Sequence, residues 1–327
     1  MRILLTGAAG FIGSHTAEAL VARGHEVVGF DAFDGYLYPA AAKRATAAHL
    51  RQALPADRFR LVEADLLDVA AVRAAVEGVD VVCHLAALAG VRPSLAEPAR
   101  YMRTNVEGTA NVLEAMRGAG CARLVFASSS SVYGARPGAD LRAVAAFRED
   151  EPCLTPASPY AASKRMGELL CSTYRDLYGV GVHGLRFFTV YGPRQRPDMA
   201  IHKFAVAIGA GRPITLFGDG STRRDYTFVD DIVAGVCASI EGVRPGQLEL
   251  YNLGGSGTVS LLELVATIEA TVGRTAVVEW QPDQPGDVPV TCADITRAQR
   301  DLGYAPRTAL ADGVAAFWAW AQAQGDA

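Results

Sequence analysis

The chain begins with an apolar run that ends in three evenly spaced glycines. RILLTG is followed by AAGFIG, so that Gly7, Gly10 and Gly13 form a GxxGxxG pattern between a predicted strand and a predicted helix. Glycine permits a tight turn with positive φ, lets a phosphate approach the backbone and lets the helix pack close to the strand. Three glycines alone can simply form a turn. With a strand before it and a helix after it, this pattern predicts a dinucleotide-binding βαβ unit.

Two acidic residues end the next two predicted strands. Asp31 ends EVVGFD, where a carboxylate can accept both hydroxyls of an adenosine ribose and would repel a 2′-phosphate. Asp31 therefore favours NAD over NADP. Asp65 ends the third strand and is a candidate for bonding the adenine amino group, with a helix cap as the alternative.

Short apolar runs alternate with helical stretches through the first half of the chain, among them VDVVCHLAA, ARLVFASSS and GVHGLRFFTVYG. Such an alternation predicts an α/β fold, a Rossmann doubly wound parallel sheet that binds ligands at the carboxyl ends of its strands. We predict an NAD-binding domain over residues 1–185 with a return segment near 226–253. A smaller mixed α/β substrate domain would cover 186–225 and 254–327. Residues 34–50, rich in alanine, are compatible with either a helix or a loop.

Composition excludes several other classes of protein. Half of the 327 residues are hydrophobic, and the net charge of -4 provides no basic surface for nucleic acid or an anionic membrane. No apolar run reaches the ~20 residues of a membrane span, and the N-terminus lacks the cleavage site of a signal peptide. The six cysteines form no CxxC pair and do not cluster with histidine. We expect free thiols, no metal site and a cytoplasmic location.

The stretch PASPYAASK places Tyr160 four residues before Lys164. Positions i and i+4 lie on one face of a helix, so both side chains can point at one site. A free tyrosine has a pKa of about 10, which must fall by roughly 3 units for the phenol to act as a base near neutral pH. A lysine ammonium and a positively charged nicotinamide are charges that can supply this shift. The alternative is the start of an ordinary helix, because such pairs occur by chance.

The order of the motifs decides between these interpretations. TGAAGFIG is followed by HLAALAGV, ASSSSVYG, SPYAASK, RFFTVYGP and RRDYTFVDD. This order resembles the extended short-chain dehydrogenase/reductase family over nearly the whole chain, and within it the NAD-dependent nucleotide-sugar epimerases. The resemblance implies a Rossmann domain, a C-terminal domain for a nucleotide sugar, tightly held NAD that is regenerated in each turnover, and a homodimer.

The resemblance also implies the residues of the site. Ser129, four residues before the tyrosine of VYG, would join Tyr160 and Lys164 as the catalytic group. Asn105 would support the site through backbone bonds, and Arg186 would be structural. The implied cofactor contacts are Gly7, Gly10, Phe11, Ile12, Gly13, Asp31, Asp65, Leu66, Leu85, Ala86, Ala87, Tyr160, Lys164 and Phe187.

Ser130 and Ser131 bear on the reaction. Members of the family first oxidise C4 of a nucleotide-linked sugar and differ in the fate of the resulting 4-keto sugar. The 4,6-dehydratases resemble one another in an Asp-Glu pair here, and the UDP-xylose-forming decarboxylases carry a glutamate nearby. Two serines leave elimination without its acid and base. The simplest outcome is that the 4-keto sugar turns over and takes hydride back on its other face, which is 4-epimerisation.

The segment RFFTVYGPRQRPDMAIHKF resembles the corresponding segment of UDP-glucuronate 4-epimerases. A guanidinium binds a carboxylate bidentately, so Arg194 or Arg196 suits a uronic acid, and we favour Arg196. Ser130 and Ser131 can donate to the same carboxylate. We therefore expect a UDP-hexuronic acid as substrate, with UDP-glucuronate converted to UDP-galacturonate. The alternative is that these arginines serve the diphosphate or the surface.

The remaining substrate contacts rest on the resemblance. They are Arg92, Thr189, Phe217, Arg224, Tyr226, Gln284 and Asp287, and Gln284 stands where some relatives have an arginine. Helices near residues 97–117 and 159–178 would pair in the dimer. A UDP-glucose/galactose epimerase, a UDP-glucuronate decarboxylase and a non-catalytic NAD-binding scaffold or sensor stay open as alternatives. The intact Ser129, Tyr160 and Lys164 disfavour the sensor, which has no need of them.

Overall fold

The computed structural model describes residues 1–134, 145–255, 257–282 and 288–325. Within them the strands are β1 Arg2–Thr6, β2 Glu26–Asp31, β3 Phe59–Glu63, β4 Val81–His84, β5 Arg123–Ser129, β6 Gly181–Phe187, β7 Thr189–Tyr191, β8 Ile214–Phe217, β9 Arg223–Arg224, β10 Tyr226–Phe228, β11 Leu248–Leu253, β12 Val259–Ser260 and β13 Val278–Gln281. The α-helices are α1 Phe11–Ala22, α2 Ala40–Ala53, α3 Val69–Val76, α4 Val91–Ala96, α5 Pro98–Tyr101, α6 Gly108–Ala119, α7 Pro159–Tyr178, α8 Ala200–Gly209, α9 Val229–Gly242, α10 Leu261–Val272, α11 Thr296–Leu302 and α12 Leu310–Gln324. A π-helical turn covers Met102–Glu107.

Seven parallel strands form the central sheet, in the order β11-β6-β5-β4-β1-β2-β3. The strand order reverses between β1 and β4, and in doubly wound sheets this switch point opens a crevice at the carboxyl ends of the strands. The predicted α/β class and Rossmann topology are confirmed.

Alternate residues of each strand face two separate hydrophobic cores. Ile3 and Leu5 of β1 face the core that contains α1 and α9, whereas Leu4 faces the core that contains α3 and α6. Because both faces are covered, the strands are apolar throughout rather than alternating, as the sequence indicated. Helices α1 and α9 therefore pack on one face of the sheet, and helices α3 and α6 pack on the other.

Helix α7 begins where the sequence predicted a helix start. Ser158 Oγ accepts a hydrogen bond from the backbone N–H of Ala161 at 3.1 Å, and Pro159 occupies the first helical position. Both are typical of a helix N-terminus. The helix ends at Gly179, which has φ +70°. The N-terminal cap at Ser158 therefore places Tyr160 in the first turn of α7, at the carboxyl edge of the sheet.

The second half of the chain forms three two-stranded pairs, β7 with β10, β8 with β13 and β9 with β12. The return segment supplies α9, which packs on α1, and β11, which ends the main sheet. We retain the predicted division into two domains as a proposal. Residues 34–50, left open by the sequence, contain most of helix α2. Among the described residues, no helix combines the length and apolar character needed to cross a membrane.

A buried ion pair ties α7 to the sheet beneath the carboxyl edge. Glu168 is 4% exposed and Arg186 is 1% exposed. Arg186 Nε and Nη2 donate to the two carboxylate oxygens of Glu168 at 2.9 and 3.0 Å. Ser128 and Arg165 donate to the same carboxylate at 2.6 and 2.8 Å. Arg186 is therefore structural, as expected, and Ser128 is held by Glu168.

Replacing Arg186 with methionine should destabilise the protein strongly. The change leaves the Glu168 carboxylate buried without its main partner, and such losses cost about 3–5 kcal/mol. We expect a clear drop in the thermal unfolding midpoint. The double variant R186M/E168M removes both charges and should recover a large part of the loss. A single variant as stable as the native protein would contradict this interpretation.

Candidate active site

A cleft of about 240 Å³ opens at the switch point between β1 and β4. Its walls come from the glycine turn, the ends of β2, β4 and β5, the start of α7 and the segment after β7. All fourteen predicted cofactor contacts line it: Gly7, Gly10, Phe11, Ile12, Gly13, Asp31, Asp65, Leu66, Leu85, Ala86, Ala87, Tyr160, Lys164 and Phe187. Residues far apart in the chain therefore converge where the fold predicts a ligand.

The glycine turn leaves no space for side chains. A Cβ on Gly13 would lie 2.0 Å from Gly7 O, and one on Gly7, whose φ is +74°, would lie 2.9 Å from Ala86 N. The turn thus packs directly against the end of β4. Gly10 is the N-cap of α1, so the first N–H groups of the helix stay available to an anion. This cradle fits a dinucleotide diphosphate.

Asp31 is fixed at the end of β2. Its carboxylate, 6% exposed, accepts hydrogen bonds from Ala9 N at 3.1 Å and Phe33 N at 2.9 Å. Burial raises the pKa of Asp31, and the charge of Lys43 and these two hydrogen bonds act in the opposite direction. The carboxylate faces the cleft with oxygen lone pairs left for ribose hydroxyls.

Asp65 lies in the cleft and does not cap the following helix. Its Oδ1 accepts from Leu67 N at 2.9 Å, a local turn. The cap of α3 is Asp68, whose side chain accepts from Ala71 N. The helix cap, which was the alternative role for Asp65, is therefore provided by Asp68.

Tyr160 lines the cleft, and the pKa of its phenol responds to burial, to the Ser129 hydroxyl and to the charge of Arg196. Burial raises the pKa of Tyr160, and the Ser129 hydroxyl and the charge of Arg196 only partly oppose this rise. Ser131 Oγ in turn donates to Ser129 Oγ at 2.9 Å. The hydroxyls of Ser131 and Ser129 are therefore hydrogen-bonded to each other.

Lys164 is 5% exposed, and its Nζ donates to Ala127 O, at the end of β5, at 2.6 Å. Burial lowers the pKa of Lys164 to about 8. The charge of Arg196, a residue 36 positions after Tyr160 in the sequence, opposes the effect of burial on the pKa of Tyr160.

Asn105 supports this arrangement through hydrogen bonds. Its Oδ1 accepts from Leu88 N at 2.8 Å, and its Nδ2 donates to Leu88 O and to Ser163 Oγ, each at 2.9 Å. Ser163 Oγ donates to Tyr160 O at 2.8 Å. Asn105 lies in the π-helical turn, a distortion that is frequent at functional sites. It therefore braces the segment after β4 against the start of α7.

The two predicted sugar-binding arginines point to different places. Arg196 lines the cleft, and its Nε and Nη2 donate to Asp198 at 2.9 and 2.7 Å. Arg194 instead donates through Nη1 and Nη2 to Glu18 of helix α1, at 3.0 and 2.5 Å. The geometry therefore supports Arg196, and Arg194 is occupied outside the cleft.

The other predicted substrate contacts within the described residues form three groups. The guanidinium of Arg92 lies 4.9 Å from the centroid of the Phe217 ring. Thr189 pairs with Tyr226 in the β7–β10 ladder, and Arg224 lies in β9. Ser130 and Ser131 open a 3-10 turn beside Ser129. Gln284 and Asp287 lie outside the described residues.

Several cleft residues carried no recognisable signal in the sequence. They include Tyr38 and Lys43, together with Phe30, Ala32, Asp34, Leu37, Ala64, Leu88, Ala89, Thr104, Ala127 and Ser128. Tyr38 and Lys43 flank the start of α2, with Lys43 Nζ 5.1 Å from the Tyr38 ring centroid. Their position shortly after the strand that ends in Asp31 is the one clue that sequence offers.

His84 was also missed. It is 2% exposed, with Nδ1 2.8 Å from Thr6 Oγ1 and Nε2 3.1 Å from Thr109 Oγ1. Burial, with a smaller contribution from Lys164, lowers its pKa to about 3, so the ring is neutral. The ring links the ends of β1 and β4 to α6 and so supports the floor of the cleft.

Comparison with known proteins agrees with this geometry. Residues 3–254 match the NAD dependent epimerase/dehydratase family. The chain is 40% identical to "Uncharacterized UDP-glucose epimerase YtcB" of Bacillus subtilis (96% of each chain). It is 39% identical to "Probable UDP-glucuronate 4-epimerase" of Rhizobium meliloti, over 98% of this chain and 96% of that one.

A solved structure of UDP-glucuronic acid 4-epimerase from Bacillus cereus, in complex with UDP-glucuronic acid and NAD, superposes with a TM-score of 0.90. The two chains are 37% identical, over 99% of this chain and 100% of that one. The resemblance drawn from the motifs is thereby confirmed. The chain belongs to the NAD dependent epimerase/dehydratase family.

Proposed function

We propose that this protein is an NAD-dependent 4-epimerase that interconverts UDP-glucuronate and UDP-galacturonate. The observation that carries the proposal is the guanidinium of Arg196, which lines the cleft and acts electrostatically on Tyr160. A cation at this position suits a sugar that bears a carboxylate. The relatives named UDP-glucuronate 4-epimerase support the same substrate.

The cofactor would be held by the backbone turn and by the strand ends. The N–H groups at the start of α1 would take the diphosphate, Asp31 the adenosine ribose and Lys164 the nicotinamide ribose. When bound, NAD accepts a hydride from C4 of the sugar and returns it. The absence of any side chain at Gly7 and Gly13 is what allows the diphosphate to reach the backbone.

Tyr160 would take the proton of the C4 hydroxyl and later give it back. Its phenolate would accept a hydrogen bond from the Ser129 hydroxyl, which itself accepts one from Ser131 Oγ. Arg196 adds a positive charge, and Lys164 holds the ribose close by. Because burial opposes ionisation of Tyr160, the base depends on all of these groups being assembled.

Epimerisation further requires that the 4-keto sugar presents its other face. The nucleotide must stay bound while the sugar turns, so we assign its anchoring to Arg224 and Tyr226 and to the Arg92–Phe217 pair. These residues lie on strands of the second half of the chain or pack against them.

A 4-keto uronic acid is a β-keto acid and loses CO2 readily, so the enzyme must protect it. We assign this protection to Arg196, which can hold Asp198 and a sugar carboxylate together because a guanidinium has five N–H donors. Its charge favours the retained carboxylate. Serines at positions 130 and 131 provide no carboxylate that would repel the sugar.

The decisive experiment is NMR analysis of the products formed from UDP-glucuronate by the purified protein without added NAD. We expect UDP-galacturonate as the main product. UDP-pentose as the main product would identify a decarboxylase, and turnover of UDP-glucose but not UDP-glucuronate would identify a neutral-sugar epimerase. Either result would overturn the proposal.

The matched control is Tyr160→Phe. Removal of the phenolic hydroxyl should lower turnover by at least about 100-fold, the size expected for loss of a general base, while NAD stays bound. A scaffold or sensor would be indifferent to this change. Unaltered turnover would remove Tyr160 from the mechanism.

The preference for NAD should reside in Asp31. Because hydrogen bonds to a carboxylate are strong, Asp31→Asn should weaken NAD binding by about 10-fold or more and reduce the discrimination against NADP. Calorimetric titration of the cofactor-stripped protein with both dinucleotides measures this. Tighter binding of NADP than of NAD by the native protein would refute the assignment.

We also propose a homodimer formed through α6 and α7. Met166, Leu169 and Leu177 of α7 are 43%, 52% and 65% exposed, and these apolar side chains suit a subunit interface. A cytoplasmic location is proposed as well, supported by cysteines that are free: Cys83, Cys121, Cys153, Cys171, Cys237 and Cys292.

Leu169→Lys should shift the protein from dimer to monomer, because it places a charge in the proposed apolar interface. Sedimentation equilibrium measures the mass. Val277, which is 58% exposed on the opposite half of the chain, provides the control, and Val277→Lys should leave the mass unchanged. A native monomer would rule the dimer out.

A further inference from the structure

Arg194 has an unusual backbone for a residue with a side chain. Its φ is +64°, and among the described non-glycine residues only Phe33 shares a positive value. This left-handed conformation is strained for any residue with a Cβ. It persists only where the surroundings impose it.

The surroundings that impose it belong to helix α1. Arg194 donates two hydrogen bonds to Glu18, at 3.0 and 2.5 Å, and its side chain is 15% exposed. His15, one turn earlier on α1, contacts the preceding carbonyl, with Nε2 2.9 Å from Pro193 O. His49 of α2 lies 2.8 Å from the same Glu18 carboxylate. The segment is therefore clamped to the helix that comes after the glycine turn.

The turn at Arg194 sends the next two side chains in different directions. Gln195 is 2% exposed, and its side-chain Nε2 donates to Val190 O at 3.2 Å. The backbone carbonyl oxygen of Gln195 lies 2.9 Å from His202 Nδ1. Arg196 then enters the cleft beside Asp198. The direction of Arg196 thus depends on the backbone two residues earlier.

We propose that Arg194 is a positioning residue, whose ion pair with Glu18 holds the left-handed turn and thereby fixes Arg196 against the sugar carboxylate. The inference rests on the proposed function for its substrate. In this proposal, the Arg194–Glu18 ion pair connects helix α1 to the segment that carries Arg196. Arg194 does not itself touch the sugar.

The test compares two replacements of Arg194 in the cofactor-loaded protein. Arg194→Ala removes the ion pair and leaves a Cβ in the strained conformation, whereas Arg194→Gly removes the pair but tolerates positive φ. We expect the KM for UDP-glucuronate to rise about 10-fold in the alanine variant and only about 3-fold in the glycine variant. Glu18→Ala should raise this KM by about the same factor as Arg194→Ala. A double variant that combines Glu18→Ala with Arg194→Ala should raise it no further than either single change.

Binding of UDP separates positioning from general damage. UDP has no sugar carboxylate, so its dissociation constant should stay within about 2-fold of the native value in every variant, while kcat falls less than KM rises. Arg300→Ala, which removes an ion pair with Asp301 on α11, is the control and should change nothing. Equal losses for UDP and UDP-glucuronate, or a glycine variant as impaired as the alanine variant, would overturn the inference.

Hydrogen exchange of residues 192–199 gives a readout that is independent of the substrate. Exchange should be faster in Arg194→Ala than in Arg194→Gly, and faster in both than in the native protein. Unchanged exchange in the alanine variant would overturn the positioning role. A native protein that fails to turn over UDP-glucuronate would instead overturn the proposed function, and the exchange result would still decide the role of Arg194.

Discussion

The contact between the glycine turn and the end of β4 is the constraint on which the cleft depends. Gly7 approaches Ala86 so closely that a Cβ would meet the backbone at 2.9 Å, and Gly13 approaches Gly7 O more closely still. Only this packing lets α1 begin directly above β1 and β4, where the strand order reverses. The N-terminus of α1, Asp31 and the start of α7 thereby face one space.

The opposite wall of the cleft depends on α7. Tyr160, Lys164 and Glu168 lie one turn apart, so the helix that carries the phenol is also tied to β6 through the buried pair of Glu168 and Arg186. Glu168 further holds Ser128, the neighbour of Ser129. The residues proposed for catalysis and the buried ion pair therefore lie on the same face of α7.

The segment after β7 connects the two halves of the site. Arg194, Gln195 and Arg196 are consecutive, yet they bond to α1, to the core beneath α8 and to the cleft. The backbone of Arg194, with φ +64°, lies at the start of this divergence. Two nearby arginines thus have different partners: Arg196 lines the cleft, and Arg194 pairs with Glu18 of α1.

Sequence alone determined the doubly wound sheet and the start of α7, because strand ends and glycine spacing are local signals that the parallel topology gathers at one edge. The family resemblance added fourteen of the residues that line the cleft. The sequence also favoured Arg196 over Arg194 without a geometric reason. Only the tertiary structure decided that Arg194 pairs with Glu18, that Arg196 lines the cleft, and that Tyr38 and Lys43 line it as well. These outcomes depend on where chain segments remote in sequence meet, and on the direction of a side chain after a positive φ, which no local pattern encodes.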